Sequence, residues 1–255
     1  MELILTTAVS SAFAYKDTIN ERIFKKNVAP KYVGIEPIAL IDKRCWLFKD
    51  DQQGLLVVAF RGSDSPSDLV QSLKFYPVPF GSYNGSVMKV HAGFLEYYNV
   101  VRDDVLCAVK EHACSQSVIA FTGHSLGGCA AIMAAVEIAI DSKTKKSENW
   151  HQHHLHCITY GAPAVGNKSF CNAYNELIPN SQRYVCGADA TPRVPIPGLR
   201  HVKGGIYLPA DNWRGVTDTI AHHTMTTYIK PLRARARALS IKPHAMDRLS
   251  IRSLL

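Results

Sequence analysis

The chain holds 255 residues, 47% hydrophobic and 20% charged, with 29 Lys and Arg against 21 Asp and Glu. This balance excludes intrinsic disorder, and the longest apolar run, Leu126–Ile140 with Glu137 inside it, is too short for the ~20 residues of a bilayer span. The net charge of +8 does not make a nucleic-acid surface, because Pro231–Leu255 alone carries +5 of it and no basic stripe with interleaved aromatics occurs elsewhere.

In chain order, Met1–Ala14 is an apolar segment ending in Ala12-Phe13-Ala14, which has the form of a signal-peptidase site. No Lys or Arg precedes it and Glu2 has the wrong sign, so an amphipathic first helix is the expectation and export the alternative. Short β-branched and apolar runs at Ile38–Leu40 continuing through Cys45–Phe48, then Leu55–Phe60, Val118–Thr122, Leu155–Tyr160 and Arg183–Cys186 read as strands. Phe94, Tyr97, Val101, Val105 and Val109 recur at helical spacing, and Leu126–Ile140 and Lys168–Leu177 have helical length and composition. Strands alternating with helices imply a largely parallel sheet covered on both faces, in one domain spanning 1–255 with 231–255 as a basic helical extension. The seven cysteines show no CxxC spacing and an odd count, which favours a reducing, cytoplasmic setting.

A sheet of this kind presents reactive groups where strands end. After the strand Val118–Thr122 comes Gly123-His124-Ser125-Leu126-Gly127, followed by the small-residue helix. This is G-x-S-x-G in the strand, turn and helix setting it requires: the turn lifts the serine above the sheet, and the glycines leave room for strand and helix to pass close by. A serine hydroxyl needs a base, and the base needs a group to orient it. Downstream, Asp189 follows the strand Arg183–Cys186, which favours it over Asp211 and Asp218 in turn-rich sequence. His222 and His223 point in different directions, so only one of them can serve. An acyl-transfer site also needs donors for the developing oxyanion, and the backbone N–H of Leu126, next after the serine, is one.

Four motifs, Val90-His91-Ala92-Gly93-Phe94, Gly123–Gly128, Tyr160–Asn167 and Pro192-Arg193-Val194-Pro195, occur in an order and at intervals that resemble the class 3 (fungal-type) lipase family of the α/β-hydrolase superfamily. The resemblance runs from about residue 38 to residue 229 and implies the α/β-hydrolase fold. It also implies cleavage of carboxylic esters of lipids through an acyl-enzyme on Ser125, with Asp189 as the orienting acid, Ser63 as the second oxyanion donor, and a lid between Asp64 and Val90. It favours His223 over His222, although His222 stands where many members carry an acidic residue, so both stay open. No cofactor is implied. A lipid or small ester is the expected partner, with peripheral contact to a membrane or lipid surface. A thioesterase or acyltransferase using the same residues, and a catalytically silent scaffold, are the rivals. The cluster His151, His153, His154, His156 and Cys157 invites a metal reading, but lacks a second half-site, and Cys129 reads as a small core residue.

Overall fold

The structure, a computed structural model, describes residues 1–63, 76–144, 154–187, 189–209 and 222–239. Its centre is a seven-stranded sheet in the order β1-β2-β3-β6-β7-β8-β9. The strands are β1 Glu36–Ile41, β2 Cys45–Asp50, β3 Leu55–Phe60, β6 Val118–His124, β7 Leu155–Tyr160, β8 Asn180–Cys186 and β9 Gly205–Leu208. The first three pair antiparallel and β3 onward pair parallel. All six residues of β3 are buried, as expected for a strand covered on both faces. The run expected to continue from Ile38 through Phe48 is two strands, because Asp42 and Lys43 both take positive φ and fold the chain back into a hairpin.

The helices are α1 Glu2–Phe13, α2 Glu21–Asn27, α3 Ala92–Asn99, α4 Arg102–His112, α5 Leu126–Thr144, α6 Lys168–Leu177 and α7 Met225–Ala238. The periodicity from Phe94 to Val109 is split between α3 and α4, which separate at Val100 and Val101. Helix α5 is apolar on every side and lies in the main core.

Helix α1 is not amphipathic: Ile4 to Phe13 are all buried, against β6 and α7. Thr7 and Ser11 survive burial because they are paired, whereas Ser10 Oγ is buried with no partner among the described residues. Thr7 Oγ1 and Ile4 O both meet Tyr160 Oη, at 2.8 and 2.7 Å, and Ser11 Oγ lies 2.9 Å from Thr122 Oγ1. Leu5, Val9 and Phe13 belong to one core cluster and Ile4, Ala8 and Ala12 to another, so cleavage after Ala14 would strip both.

The basic C-terminal segment expected to begin at Pro231 starts inside α7, where Leu232, Arg233 and Ala236 are buried and Arg233 Nη2 donates to Asn27 Oδ1 at 2.7 Å. Residues 240–255 of that segment lie outside the described residues. So do residues 64–75 of the expected lid. The rest of that stretch forms a hairpin, β4 Pro77–Tyr83 and β5 Ser86–His91, with Met88 and Val90 in the core and Phe80 edge-on to Phe170 at 5.5 Å.

Candidate active site

Parallel registers bring the sequence-selected residues to one edge of the sheet. Phe60 pairs with Gly123 and His124 with Tyr160, so the turns that follow β3, β6 and β7 lie side by side. Arg61-Gly62-Ser63 therefore runs beside Ser125-Leu126, and Ser125 N donates to Tyr160 O at 3.0 Å.

Ser125 has φ +57°, a conformation that costs an ordinary residue about 1–3 kcal/mol and persists only where the surroundings enforce it. The enforcement is visible in the glycines. A Cβ on Gly123 would stand 2.3 Å from the Gly127 carbonyl carbon, and one on Gly127 would stand 2.3 Å from Phe60 O. Ser125 O accepts from Gly128 N at 3.0 Å, which closes the turn into α5. Leu126 is the first residue of α5, so its N–H belongs to the turn of a helix that has no intrahelical acceptor. Cys129 is buried, with Sγ 3.7 Å from Ser125 O, and burial pushes its thiol well above the ordinary range; it is a core residue.

Asp189 and His223 are both buried and joined, Oδ2 to Nδ1, at 2.8 Å. Asp189 also accepts from Tyr228 Oη on Oδ2 and from Thr191 N, at 2.9 Å, on Oδ1. Burial and the Asp189 carboxylate raise the Tyr228 phenol well above its usual range, so it stays protonated and donates. Nε2 of His223 is buried without a hydrogen-bond partner, the nitrogen left over once Nδ1 faces the acid. His222 is half-buried, and the ring bonded to Asp189 Oδ2 is that of His223. Asp211 and Asp218 lie outside the described residues.

The turn after β7 seals this arrangement. Gly161, at φ +61°, approaches so closely that a Cβ would stand 2.7 Å from Asp189 Oδ2, 2.8 Å from Tyr228 Oη and 3.1 Å from His223 Cε1. The same turn holds Ser125 through Tyr160, so serine, imidazole and acid share one support. A cleft of about 560 Å³ opens on Ser63 and Leu126, rimmed by Asp17, Arg44, Arg61 and Tyr97. Arg61 pairs there with Asp17 at 3.0 Å.

Residues 57–198 match the lipase (class 3) family. The chain belongs to that family. It is 28% identical over 158 residues to a lipase from Rhizomucor miehei, covering 61% of this chain and 42% of the relative. It is 29% identical over 163 residues to the secreted mono- and diacylglycerol lipase 1 of Fusarium solani, covering 62% and 45%. The chain thus spans less than half the length of either relative. A solved triacylglycerol lipase, described as having a catalytic centre formed by a serine protease triad, superposes with a TM-score of 0.63 at 26% identity, covering 80% of this chain and 78% of that one.

In this class 3 lipase fold, Tyr15 and His124, like Tyr228, contribute in ways that carried no sequence signal. Tyr15 Oη meets His124 Nδ1 at 2.8 Å, and the His124 ring lies 4.4 Å, centroid to centroid, from that of His223. Burial and the neighbouring His223 hold His124 well below the usual imidazole range, so it stays neutral. Only the folded chain brings Tyr15 within reach, since 109 residues separate the pair. His124, Asp189 and His223 form the one group of three metal-capable side chains among the described residues. Asp189 and His223 are already engaged with each other there. His154, His156 and Cys157 form no such group, while His151 and His153 lie outside the described residues.

Proposed function

We propose that the protein hydrolyses carboxylic esters of lipids through an acyl-enzyme on Ser125. The observation that carries this reading is the strained Ser125 at the end of β6, held by the same turn that packs on the buried Asp189–His223 pair. His223 Nε2 takes the Ser125 proton as Oγ attacks the ester carbonyl and returns it to the departing alkoxide. A water then repeats the sequence to free the acid. Asp189 keeps the other nitrogen protonated and steadies the imidazolium, with Tyr228 and Thr191 N fixing the carboxylate. No hydrogen bond reaches Nε2 in the unliganded site, a looseness common before substrate closes such contacts. The Leu126 N–H and Ser63 receive the oxyanion, a contribution of about 3 kcal/mol for one such donor. None of these steps calls for a metal or organic cofactor.

Lipid is the substrate class supported by the relatives, which are described as lipases of tri-, di- and monoacylglycerols. Lipid-surface contact follows as part of the same proposal; among the described residues no helix is long and apolar enough to cross a membrane. The Fusarium relative is secreted, which fits the exported alternative and does not support the cytoplasmic expectation. The seven free thiols stand on the cytoplasmic side, as do the core contacts of α1 that cleavage after Ala14 would remove. A series of p-nitrophenyl acyl esters assayed below and above micelle formation tests the proposal. A jump in rate at the interface, favouring long chains, is expected. Turnover of soluble short esters alone would make the protein an esterase, and no turnover of any ester would leave the scaffold reading.

A further inference from the structure

On the far side of the loop that carries Asp189 lies a second cleft, of about 420 Å³, between the ends of β8 and β9 and residues 192–201. Three arginines line it, Arg183, Arg193 and Arg200, together with His201. Arg183 is 8% exposed and its side chain has a single hydrogen bond, from Nε to Val202 O at a long 3.4 Å. Its two terminal nitrogens have no partner and no carboxylate faces it among the described residues. Gly205 makes the space: a Cβ there would stand 3.1 Å from Arg183 Nη2. Arg193 binds the carbonyls of Gly187 and Cys186, and the exposed Arg200 has no ion pair among the described residues.

A largely buried guanidinium whose terminal donors open only onto a cleft, with no counter-charge, is a ready partner for an anion. The cleft adds a complementary acceptor. His201 Nε2 lies 2.7 Å from Pro192 O, so the imidazole proton sits on that nitrogen. Burial and Arg183 push His201 down to about 4, which keeps the ring neutral. Its Nδ1 is consequently a bare lone pair, buried and unpartnered. The ligand that satisfies both defects carries anionic oxygens for the arginines and one O–H for His201. A singly protonated phosphate group has this combination; a carboxylate or sulfate lacks the proton. The remaining wall is apolar, with Val185, Ile196 and Leu199, and the cleft is roomier than a bare phosphate needs.

We propose that this cleft binds a phosphate group, through Arg183 and Arg200 with His201 Nδ1 accepting a hydrogen bond from its O–H. The site is separate from the hydrolytic machinery and does not rest on the assignment of Ser125. Isothermal titration of the full chain with inorganic phosphate, a short-chain soluble phosphatidic acid, sulfate and a neutral short-chain diacylglycerol tests it. Phosphate or the phosphatidic acid is expected to bind more tightly than sulfate, and to weaken about tenfold or more in Arg200→Ala, as loss of one charge-assisted hydrogen bond implies. Tighter binding of phosphatidic acid than of phosphate would mark a lipid headgroup as the source, and equal binding the free ion. Arg183→Gln should abolish binding. Should that buried substitution fail to fold, the exposed Arg200→Glu gives the same readout in folded protein. No binding by either phosphate ligand, or binding unchanged in folded Arg200→Ala and Arg200→Glu, would overturn the proposal.

Discussion

Ser125 is buried and held at a strained backbone angle, and the glycines around it are there because side chains would strike backbone at 2.3 Å. The turn is legible in five residues of sequence because its glycine spacing is local, although the Phe60 and Tyr160 carbonyls that crowd and hold it come from other strands. The choice between His222 and His223 is not local. It depends on which ring meets an acid 34 residues earlier, and the structure gives that bond to His223. Replacing each by Ala should therefore separate them in steady-state kinetics. His223→Ala is expected to lower kcat by three orders of magnitude or more, the scale of losing a triad member, and His222→Ala by less than about tenfold. The reverse ranking would transfer the base to His222. Tyr228 escaped the sequence reading as a functional group because a buried tyrosine on a helix reads as core. Only its phenol bonded to Asp189 reveals a positioning role. Tyr15 and His124 escaped for the same reason, a contact between segments far apart in the chain.

Among the elements, the turn after β7 connects the most parts of the site. Gly161→Ala forces a Cβ into Asp189, Tyr228 and His223 at a backbone angle that disfavours it. The expected result is a loss of about 1–3 kcal/mol in urea unfolding and a larger proportional loss of kcat than of KM effect, because the misplaced groups act on the transition state. A variant with normal kcat would mean that this turn does not support the imidazole. The order of strands and helices is readable from periodicity, since parallel strands buried on both faces leave continuous apolar runs such as Leu55–Phe60. Elements defined by partners are not readable in this way. Helix α1 looks amphipathic or like a leader because its Thr and Ser residues break the apolar pattern. The partners of Thr7 and Ser11, on Tyr160 and Thr122, lie over 100 residues away. The hairpin at Asp42 and Lys43 was missed because neither residue is the glycine or asparagine that usually marks positive φ.

For the whole molecule, burial of imidazoles sets the acid limb of stability. His124, His201, His91 and His156 are all held below the ordinary histidine value, chiefly by burial, His201 at about 4. Unfolded, each titrates near 6.5, so from about pH 6.5 down to the folded values the unfolded chain binds more protons and stability falls with pH. Below those folded values the loss stops growing. The urea midpoint should accordingly drop between pH 7 and pH 4.5, and His156→Gln, on a strand away from both clefts, should make the drop shallower. A midpoint constant over that range would show these rings to be freely solvated.

The central claim is that one hydroxyl, on Ser125, is the nucleophile. Incubation with a p-nitrophenyl alkylphosphonate followed by peptide mass mapping measures this directly, because the reagent traps an activated serine as a stable phosphonate ester. The account predicts one phosphonyl group per chain, on the peptide containing Ser125, with none in Ser125→Ala. A label on another residue, or an inert wild-type protein that is folded, would contradict it.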